Sequence, residues 1–280
     1  MTAPSFRTPV ALVTGGSQGI GAASVQRFLD RGWNVSTVSL PGENLKRWCS
    51  DRVLVIEGDL TSEQVRRTAV EQTLERFHRI DALVNNAGVG LYATPSTLPP
   101  VLLQRLFDVN VVAPLALAQL VIPVMRRQRS GAIVNVGSVA GHVSMPWAAG
   151  YCASKFAMHA VSDSLRRELR KDGIRVVKIC PGIVATRFRE NVLAGSVLTK
   201  LEDLRPVVSP ERVAATIVRA VESRWHHTMY VPEIGRLFSA VQHFCPPLMD
   251  WYLGRLSAEQ VVCSTSDHGL AHAVEPGAEK

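Results

Sequence analysis

The sequence predicts an α/β fold in which a single parallel sheet is covered by helices on both faces. Short apolar runs rich in Val and Ile alternate with longer amphipathic stretches, as expected of repeated strand–helix units. Most of the short runs end at Gly, Asn or Pro, which commonly terminate strands. The 280 residues are 46% hydrophobic and 20% charged, an ordinary globular balance that excludes a mainly disordered protein.

Seven strands are expected, each for a local reason. The first run ends at a glycine-rich turn, the second is rich in Val and Thr and ends at Pro-Gly, and the next two end at Gly-Asp and Asn-Asn. The fifth ends at Gly, the sixth at Pro-Gly, and the seventh is the weakest. In order, the runs are 10–13, 34–40, 53–56, 81–84, 131–137, 174–180 and 228–231.

Amphipathic stretches between these runs predict the helices that cover the sheet. They lie near 19–31, 62–77, 101–127, 151–171 and 210–223. No linker or internal repeat interrupts the pattern, so we expect a single domain over residues 1–263 and a disordered tail at 264–280. An apolar extension at 235–256 could close over a pocket, pack on a partner subunit or lie on a membrane surface, and ordinary core or subunit packing is expected because it lacks a strongly basic opposite face.

Charge and composition argue against several other classes of protein. The net charge is +7, but the cations lie in small clusters without interleaved aromatic residues, so nucleic-acid binding is not expected. The longest uncharged stretch, 109–125, is shorter than the roughly 20 apolar residues that span a bilayer, so we expect a buried helix and no integral membrane segment.

The cysteines and histidines predict neither disulfides nor a metal site. Five cysteines without a CxxC pair suggest reduced thiols, and the N-terminus has no apolar signal core, so a cytoplasmic location is expected. The adjacent pair His226 and His227 directs its side chains to different sides, and no ligand partner stands nearby.

The segment Thr14–Gly21, of sequence TGGSQGIG, follows the first strand and opens the first helix. Its glycines allow a sharp turn and close approach of a phosphate, while the free N–H groups at the helix start favour an anion. A glycine-rich turn without a ligand is the alternative, but the strand–turn–helix context favours a dinucleotide. The segment contains no Lys, which argues against a nucleoside-triphosphate loop.

Two further segments follow strands at the edge where ligands bind open parallel sheets. Asp59-Leu60 follows the third strand, where the carboxylate could accept a hydrogen bond from an adenine amino group or cap the next helix. The segment Asn85–Gly88, of sequence NNAG, follows the fourth strand and either fixes the loop through its amides or forms a plain turn.

The strongest indication of chemistry is a Tyr–Lys pair on one helix face. Tyr151 and Lys155 are four residues apart, and Ser138 stands at the end of the fifth strand. A cation about 5 Å from a phenol contributes roughly 3 kcal/mol at an effective dielectric of 20, which lowers the phenol pKa by about two units. We therefore expect Tyr151 to exchange a proton with a substrate oxygen that Ser138 holds.

Together these segments resemble the short-chain dehydrogenase/reductase family. The match covers Thr14–Gly21, Asp59, Asn85–Gly88, Asn110, Ser138, Tyr151, Lys155, Pro181-Gly182 and Thr186, in the family's order and spacing. The resemblance implies a Rossmann-type doubly wound sheet, an NAD(P)(H)-dependent reaction, and a homo-oligomer, by default a homodimer and possibly a tetramer. It also implies Tyr151 as general acid/base, Ser138 orienting the substrate, Lys155 binding the nicotinamide ribose, and Asn110 holding a relay water.

Further site residues follow from the resemblance and from position in the sequence. The cofactor is expected to contact Gly15, Ser17, Gln18, Gly19, Ile20, Gly21, Ser39, Asp59, Leu60, Asn86, Ala87, Gly88, Tyr151, Lys155, Pro181, Gly182, Ile183 and Thr186. The substrate is expected to contact Ser138, His142, Met145, Trp147 and Tyr151, between walls from 89–92, 140–147 and 188 onward.

The choice between NAD(H) and NADP(H) depends on the residues at the end of the second strand. Ser39 and Leu40 stand where an acidic residue would bind the adenosine ribose of NAD(H), and Lys46 and Arg47 follow closely. NADP(H) is therefore favoured over NAD(H), although Gln18 takes the place of a basic residue carried by many NADP-dependent relatives.

The apolar extension resembles that of steroid- or retinol-dehydrogenase-like members of the family, and this resemblance implies a lipophilic carbonyl or alcohol as substrate. An alternative is reduction of a 3-oxoacyl thioester. A cofactor-sensing protein without catalysis is less favoured, because it would not need the complete proton-transfer set.

Overall fold

Seven parallel strands form the centre of the computed structural model, which describes residues 8–195, 207–223 and 227–258. The strands are β1 (Val10–Thr14), β2 (Asn34–Ser39), β3 (Val53–Glu57), β4 (Ala82–Asn85), β5 (Gly131–Val136), β6 (Ile174–Pro181) and β7 (Thr228–Val231). Their order in the sheet is β3-β2-β1-β4-β5-β6-β7. All seven expected strands are confirmed to within about two residues. The predicted tail, 264–280, lies outside the described residues.

The helices also follow the sequence pattern, with one interruption. They are α1 (Gly19–Asp30), α2 (Glu63–Phe77), α3 (Pro100–Phe107), α4 (Ala113–Gln128), α5 (Ala149–Glu168), α6 (Pro210–Glu222), α7 (Ile234–Phe244) and α8 (Pro246–Ala258). The helix expected over 101–127 is divided by a π-helical turn, Asp108–Val112. A 3₁₀ turn, Leu169–Asp172, continues the helix expected over 151–171.

Alternating side chains of the strands divide the core between the two faces of the sheet. Ala11 and Val13 pack on one face with Phe28 of α1 and Ile217 of α6. Leu12 belongs to the cluster on the other face, which is completed by residues of α2 and α4. Both faces are thus covered, which explains why the central strands are apolar throughout rather than alternating.

Within the described chain, the stretch 100–128 is the one helical segment long and apolar enough to cross a membrane by length and composition. Leu117, Val121 and Met125, on one side of α4, are buried against the sheet. This packing is that of a core helix.

The strand order reverses beside β1, since β2 pairs with one edge of β1 and β4 with the other. In an open parallel sheet, such a reversal opens a crevice at the carboxyl ends of the strands. The loops after β1, β3, β4, β5 and β6 all meet there, and they carry the segments that the sequence singles out.

The apolar extension forms α7 and α8, which pack on the domain. Met249 and Leu253 of α8 are buried with Val143, in the loop after β5, and Phe238 of α7 joins them. Other large apolar side chains of this pair remain exposed: Ile234, Leu237, Phe244, Leu248 and Trp251.

Candidate active site

A cleft of about 1160 Å³ occupies the crevice at the strand reversal. It is somewhat larger than the pockets of about 300–1,000 Å³ that hold drug-sized ligands. Seventeen of the eighteen predicted cofactor residues line it: Gly15, Ser17, Gln18, Gly19, Ile20, Ser39, Asp59, Leu60, Asn86, Ala87, Gly88, Tyr151, Lys155, Pro181, Gly182, Ile183 and Thr186.

Gly21 is the exception: it does not line the cleft. It lies behind the glycine loop, where a Cβ atom would come within 2.0 Å of the Gly15 carbonyl oxygen. Its role is to let α1 approach the turn. Gly15 and Gly19 have positive φ angles of 73° and 54°, so these two positions favour glycine for their backbone conformation.

The start of α1 is free to bind an anion. Gln18, the N-cap residue, makes no side-chain hydrogen bond to the first turn, and that turn contains no acidic residue. The first N–H groups therefore face the cleft without a capping side chain, a suitable arrangement for a diphosphate. The glycine loop and this helix start fit a dinucleotide.

Hydrogen bonds from the NNAG segment hold two loops together. The Asn86 side chain donates to the Thr14 carbonyl at 2.9 Å, and the backbone N–H groups of Asn86 and Ala87 donate to Thr14 Oγ1. Asn85 points into the sheet instead, where its amide donates to Asn135 Oδ1 at 2.8 Å. Of the two interpretations, fixing the loop describes this segment better than a plain turn.

Asp59 both caps a turn and forms an ion pair. Its carboxylate accepts hydrogen bonds from the backbone and hydroxyl of Thr61 and lies 2.5 Å from the Arg105 guanidinium. Burial alone would raise the Asp59 pKa, but the hydrogen bonds from Thr61 and the charge of Arg105 outweigh it and lower the pKa overall. The side chain still lines the cleft.

A cationic side chain lies beside the cleft at the end of β2. Arg47 donates to the Ser17 carbonyl, and the Ser17 N–H donates to Ser39 Oγ at 3.2 Å. Trp48 donates to the Gly16 carbonyl at 3.0 Å and carries the Arg47 guanidinium over its ring. Lys46 instead pairs with Glu43 on the surface.

Tyr151, Ser138 and Lys155 come together on the floor of the cleft. The hydroxyl groups of Ser138 and Tyr151 are hydrogen-bonded. The Lys155 ammonium donates to the Val136 carbonyl at 3.3 Å and lies 5.6 Å from the centroid of the Tyr151 ring. Tyr151 and Lys155 are both buried, with 8% and 7% of their surface exposed.

Burial, rather than the neighbouring cation, dominates the acidity of this cluster. It raises the pKa of Tyr151, reinforced by Tyr92, and the hydrogen bond with Ser138 offsets only part of the rise. The expectation that Lys155 lowers the phenol pKa by about two units is therefore wrong for the protein alone. Burial also lowers the pKa of Lys155 to about 8, so its positive charge is itself reduced as the pH rises.

Asn110 does not reach the cleft surface. It lies in the π-helical turn, where its Oδ1 accepts from the Val89 N–H at 2.9 Å and its amide donates to the Val89 carbonyl and to Ser154 Oγ. Both ends of the amide are thus satisfied inside the protein. Asn110 fixes the loop after β4 against α5, the helix that carries Tyr151.

The predicted substrate residues divide into two groups. Ser138, Tyr151 and Met145 line the cleft, but His142 and Trp147 do not. His142 follows a short 3₁₀ turn that directs its ring behind the cleft, onto His159 and Tyr230. Trp147 has a positive φ of 58°, and its carbonyl accepts a hydrogen bond from the Ala93 N–H. Its backbone therefore holds two loops together.

Arg105 and Phe238 were missed as cleft residues by sequence reasoning. Arg105 belongs to α3, and nothing in the sequence near it indicates a site. Phe238 lies in the apolar extension, whose hydrophobic spacing predicted packing but gave no indication of which side chain enters the cleft.

Comparison with known proteins agrees with this site. Residues 9–196 match the short chain dehydrogenase family. The chain belongs to the short-chain dehydrogenase family. Among its relatives is a 3alpha-hydroxysteroid dehydrogenase of Mediterraneibacter gnavus, 36% identical over 65% of this chain and 76% of the relative. An L-fucose dehydrogenase of Mus musculus is 36% identical over 67% of this chain and 69% of the relative's length.

Solved structures of short-chain dehydrogenases share the fold over most of the chain. One from Streptomyces avermitilis superposes with a TM-score of 0.78 at 25% identity, covering 91% of this chain and all of its own. A 3-ketoacyl-(acyl-carrier-protein) reductase from Brucella melitensis complexed with NADH has a TM-score of 0.73 at 26% identity, over 81% and 98% of the two chains. The Rossmann-type sheet and the oxidoreductase family are thereby established.

Proposed function

We propose that this protein is an NAD(P)(H)-dependent oxidoreductase that interconverts a lipophilic carbonyl compound and its alcohol, with Tyr151 as general acid/base. The observation that carries the proposal is the group of Ser138, half-buried, and Tyr151 and Lys155, both buried, on the floor of the cleft. A bound nicotinamide would exchange hydride with the substrate carbon, and the protein's own residues handle the proton.

Each member of the group has a distinct part. Ser138 Oγ holds the substrate oxygen beside the Tyr151 hydroxyl. Because burial raises the Tyr151 pKa, the phenol stays protonated at neutral pH and is suited to donate its proton to the oxygen of a carbonyl. Lys155, deeper in the cleft, binds the ribose hydroxyl groups and supplies positive charge near the phenol.

Arg47 supports a preference for NADP(H). Ser39 and Leu40, not an acidic residue, stand at the end of β2. The Arg47 guanidinium donates to the carbonyl of Ser17, and the Ser17 N–H donates to Ser39; both serines line the cleft. A 2′-phosphate placed there would accept hydrogen bonds from Arg47 and from the Ser39 hydroxyl.

Apolar walls support a lipophilic substrate. Met145, Tyr92 and Phe188 pack around Tyr151, and Phe238 lines the same cleft. The relative from Mediterraneibacter gnavus is named for a hydroxysteroid. Reduction of a 3-oxoacyl thioester is the second candidate, favoured by the structural likeness to the Brucella melitensis reductase. Activity on a 3-oxoacyl thioester but not on steroids or simple ketones would select the second candidate.

The role of Tyr151 can be tested by replacing it with Phe. We expect Tyr151→Phe to bind the cofactor normally but to lose turnover by about 10²–10⁴-fold, because the proton donor is removed while the ring stays in place. Cofactor binding would be followed by fluorescence, and turnover by absorbance of the reduced nicotinamide on a carbonyl and alcohol panel. Tyr252→Phe, in α8, is the matched control; wild-type turnover in Tyr151→Phe would disprove the assignment.

The cofactor preference can be tested with two neighbouring cations. Arg47→Gln should raise the KM for NADP(H) by about tenfold and change that for NAD(H) much less, because only the former carries the 2′-phosphate. Lys46→Gln, which removes a surface ion pair, should change neither. Equal effects of Arg47→Gln on both cofactors would contradict a phosphate contact.

A homodimer is proposed through α5. Ala153, Ala160 and Ser164 form an exposed face of small residues that would allow close approach of a second helix. Sedimentation of the wild type and of an Ala153→Glu variant would test it; a monomer in both would rule this face out.

A further inference from the structure

Three potential metal ligands meet behind the floor of the cleft. His142 follows β5, His159 belongs to α5, and Cys180 lies in β6, and their ligand atoms are all within 4.8 Å of one another. Cys180 Sγ is 3.8 Å from His142 Nε2 and 3.7 Å from His159 Nε2. The two imidazole rings are stacked obliquely, with centroids 4.5 Å apart.

The two sulfur–nitrogen distances match two edges of a metal coordination tetrahedron. Zn–S and Zn–N bonds of about 2.3 Å and about 2.0–2.1 Å at a tetrahedral angle place the sulfur about 3.6 Å from each nitrogen. The two sulfur–nitrogen distances in the protein are within about 0.2 Å of that value. A cation could therefore enter if the two ring nitrogens, which lie within 4.8 Å of one another, approach to the roughly 3.3 Å that Zn–N bonds of about 2.0–2.1 Å require.

The surroundings leave room for the His142, His159 and Cys180 side chains but do not satisfy all of their hydrogen-bonding atoms. A Cβ atom at Gly137 or Gly141 would come within 2.2 Å or 2.4 Å of the His159 ring, so both glycines make space for it. His159 is 5% exposed, and its Nδ1 makes no hydrogen bond of acceptable geometry to any described residue, although the Gly141 backbone is near. Cys180 is fully buried, while His142 is half-buried and offers access.

We propose that His142, His159 and Cys180 form a binding site for a zinc-like divalent cation, which ties the loop that follows Ser138 to α5 and β6. Two neutral imidazoles and one thiolate are a ligand set that Zn²⁺ accepts, with a fourth position for water. Binding forms a bond between the cation and Sγ and breaks the S–H bond, and the proton is released to solvent. None of the three ligands lines the cleft, so the cation has a positioning role rather than a part in the reaction.

Charges around the cluster set the strength of binding. Lys178 influences all three ligands and Lys155 influences His159 and Cys180; the Lys178 ammonium is paired with Asp163 at 2.9 Å. Burial lowers the pKa of His159 to about 3 and that of His142 as well, so both rings are neutral as ligands must be. Burial raises the pKa of the Cys180 thiol to about 12, so a cation must displace its proton.

Cobalt substitution of the full chain tests the site directly. Protein freed of metal by a chelator would be titrated with Co²⁺ and then with Zn²⁺. We expect one Co²⁺ per chain, with thiolate-to-cobalt charge-transfer absorption and intense tetrahedral ligand-field bands, and displacement by Zn²⁺. A spectrum without a thiolate band, or no saturable binding, would overturn the proposal.

Variants separate this site from the other cysteines and histidines. Cys180→Ser, His159→Gln and His142→Gln should each lose the thiolate band or its tetrahedral intensity, whereas Cys49→Ser and His243→Gln, at exposed positions, should keep both. Should Cys180→Ser fail to fold, His142→Gln, at a half-buried position, still decides the matter. Wild-type spectra in His142→Gln would show that the cation binds elsewhere.

Discussion

Burial controls the acid–base properties of individual side chains more than their neighbours in the sequence do. Tyr151 and Lys155 are four residues apart, and a neighbouring cation by itself would lower the phenol pKa, yet loss of water raises it overall. The Asp59 pKa is lowered instead, because hydrogen bonds from Thr61 and the charge of Arg105 together outweigh the effect of partial burial. The difference is that Asp59 accepts three hydrogen bonds at the cleft rim, while Tyr151 receives one on the floor.

Asp59→Asn should destabilise the protein in a pH-dependent way. Because the Asp59 pKa is lower in the folded state than in the unfolded chain, its ionised form contributes stability above about pH 4, and this is lost as the pH falls through the folded pKa. The difference in unfolding free energy from wild type should therefore be largest at neutral pH and shrink in acid. Urea unfolding at several pH values measures it.

The control for Asp59 is Glu57→Gln, two residues earlier at an exposed position. It removes the same charge without an ion pair and should change stability little. A destabilisation of Asp59→Asn that does not vary with pH would show that the Asp59 ion pair contributes nothing.

Among the elements, buried polar side chains join strands to helices. Asn85 of β4 donates to Asn135 of β5, whose amide donates to Ser162 of α5 at 2.8 Å. Ser162 in turn donates to the Met158 carbonyl within α5. This chain of hydrogen bonds fixes α5, and with it Tyr151, relative to the sheet.

Asn135→Val should therefore lower the free energy of unfolding by about 1–3 kcal/mol, because it leaves the Asn85 amide without its best partner. The double variant Asn85→Val/Asn135→Val should cost less than the sum of the single variants, since both partners are then apolar. Urea midpoints measure the cycle. Strict additivity would mean that the two amides are not coupled.

The boundaries of the elements were largely predictable, and the π-helical turn was not. Strands and helices follow from the spacing of apolar residues, which depends on local geometry. Within the turn at 108–112, Asn110 pairs with Val89 and Ser154, which are distant in the sequence. The one indication in the sequence was Asn110 itself, a polar side chain within an otherwise apolar helix.

In the whole molecule, the C-terminal helices complete the cleft. Phe238 of α7 lines it from a position far along the chain from the glycine loop, and Val143, which packs with α8, lines it too. The extension thus packs on the same domain as the sheet and lines part of the cleft.

Phe238→Ala should reduce kcat/KM for a bulky lipophilic carbonyl by about tenfold or more, and leave a small carbonyl nearly unaffected, because only a large substrate reaches this wall. Steady-state kinetics with one substrate of each size provide the measurement. Leu237→Ala, which alters an exposed neighbour on the same helix, is the control. An equal loss for both substrates would place the effect on the fold rather than on the wall.

The sequence by itself determined the alternation of strands and helices, the glycine loop, and the presence of Ser138, Tyr151 and Lys155, because apolar spacing and short motifs act locally. Only the tertiary structure decided which side chains share a space. It took His142 out of the cleft and set it beside His159 and Cys180, brought Arg105 to Asp59, and buried Tyr151 deeply enough to raise its pKa. Distances and water exclusion depend on how elements far apart in the chain pack, and no local pattern encodes that packing.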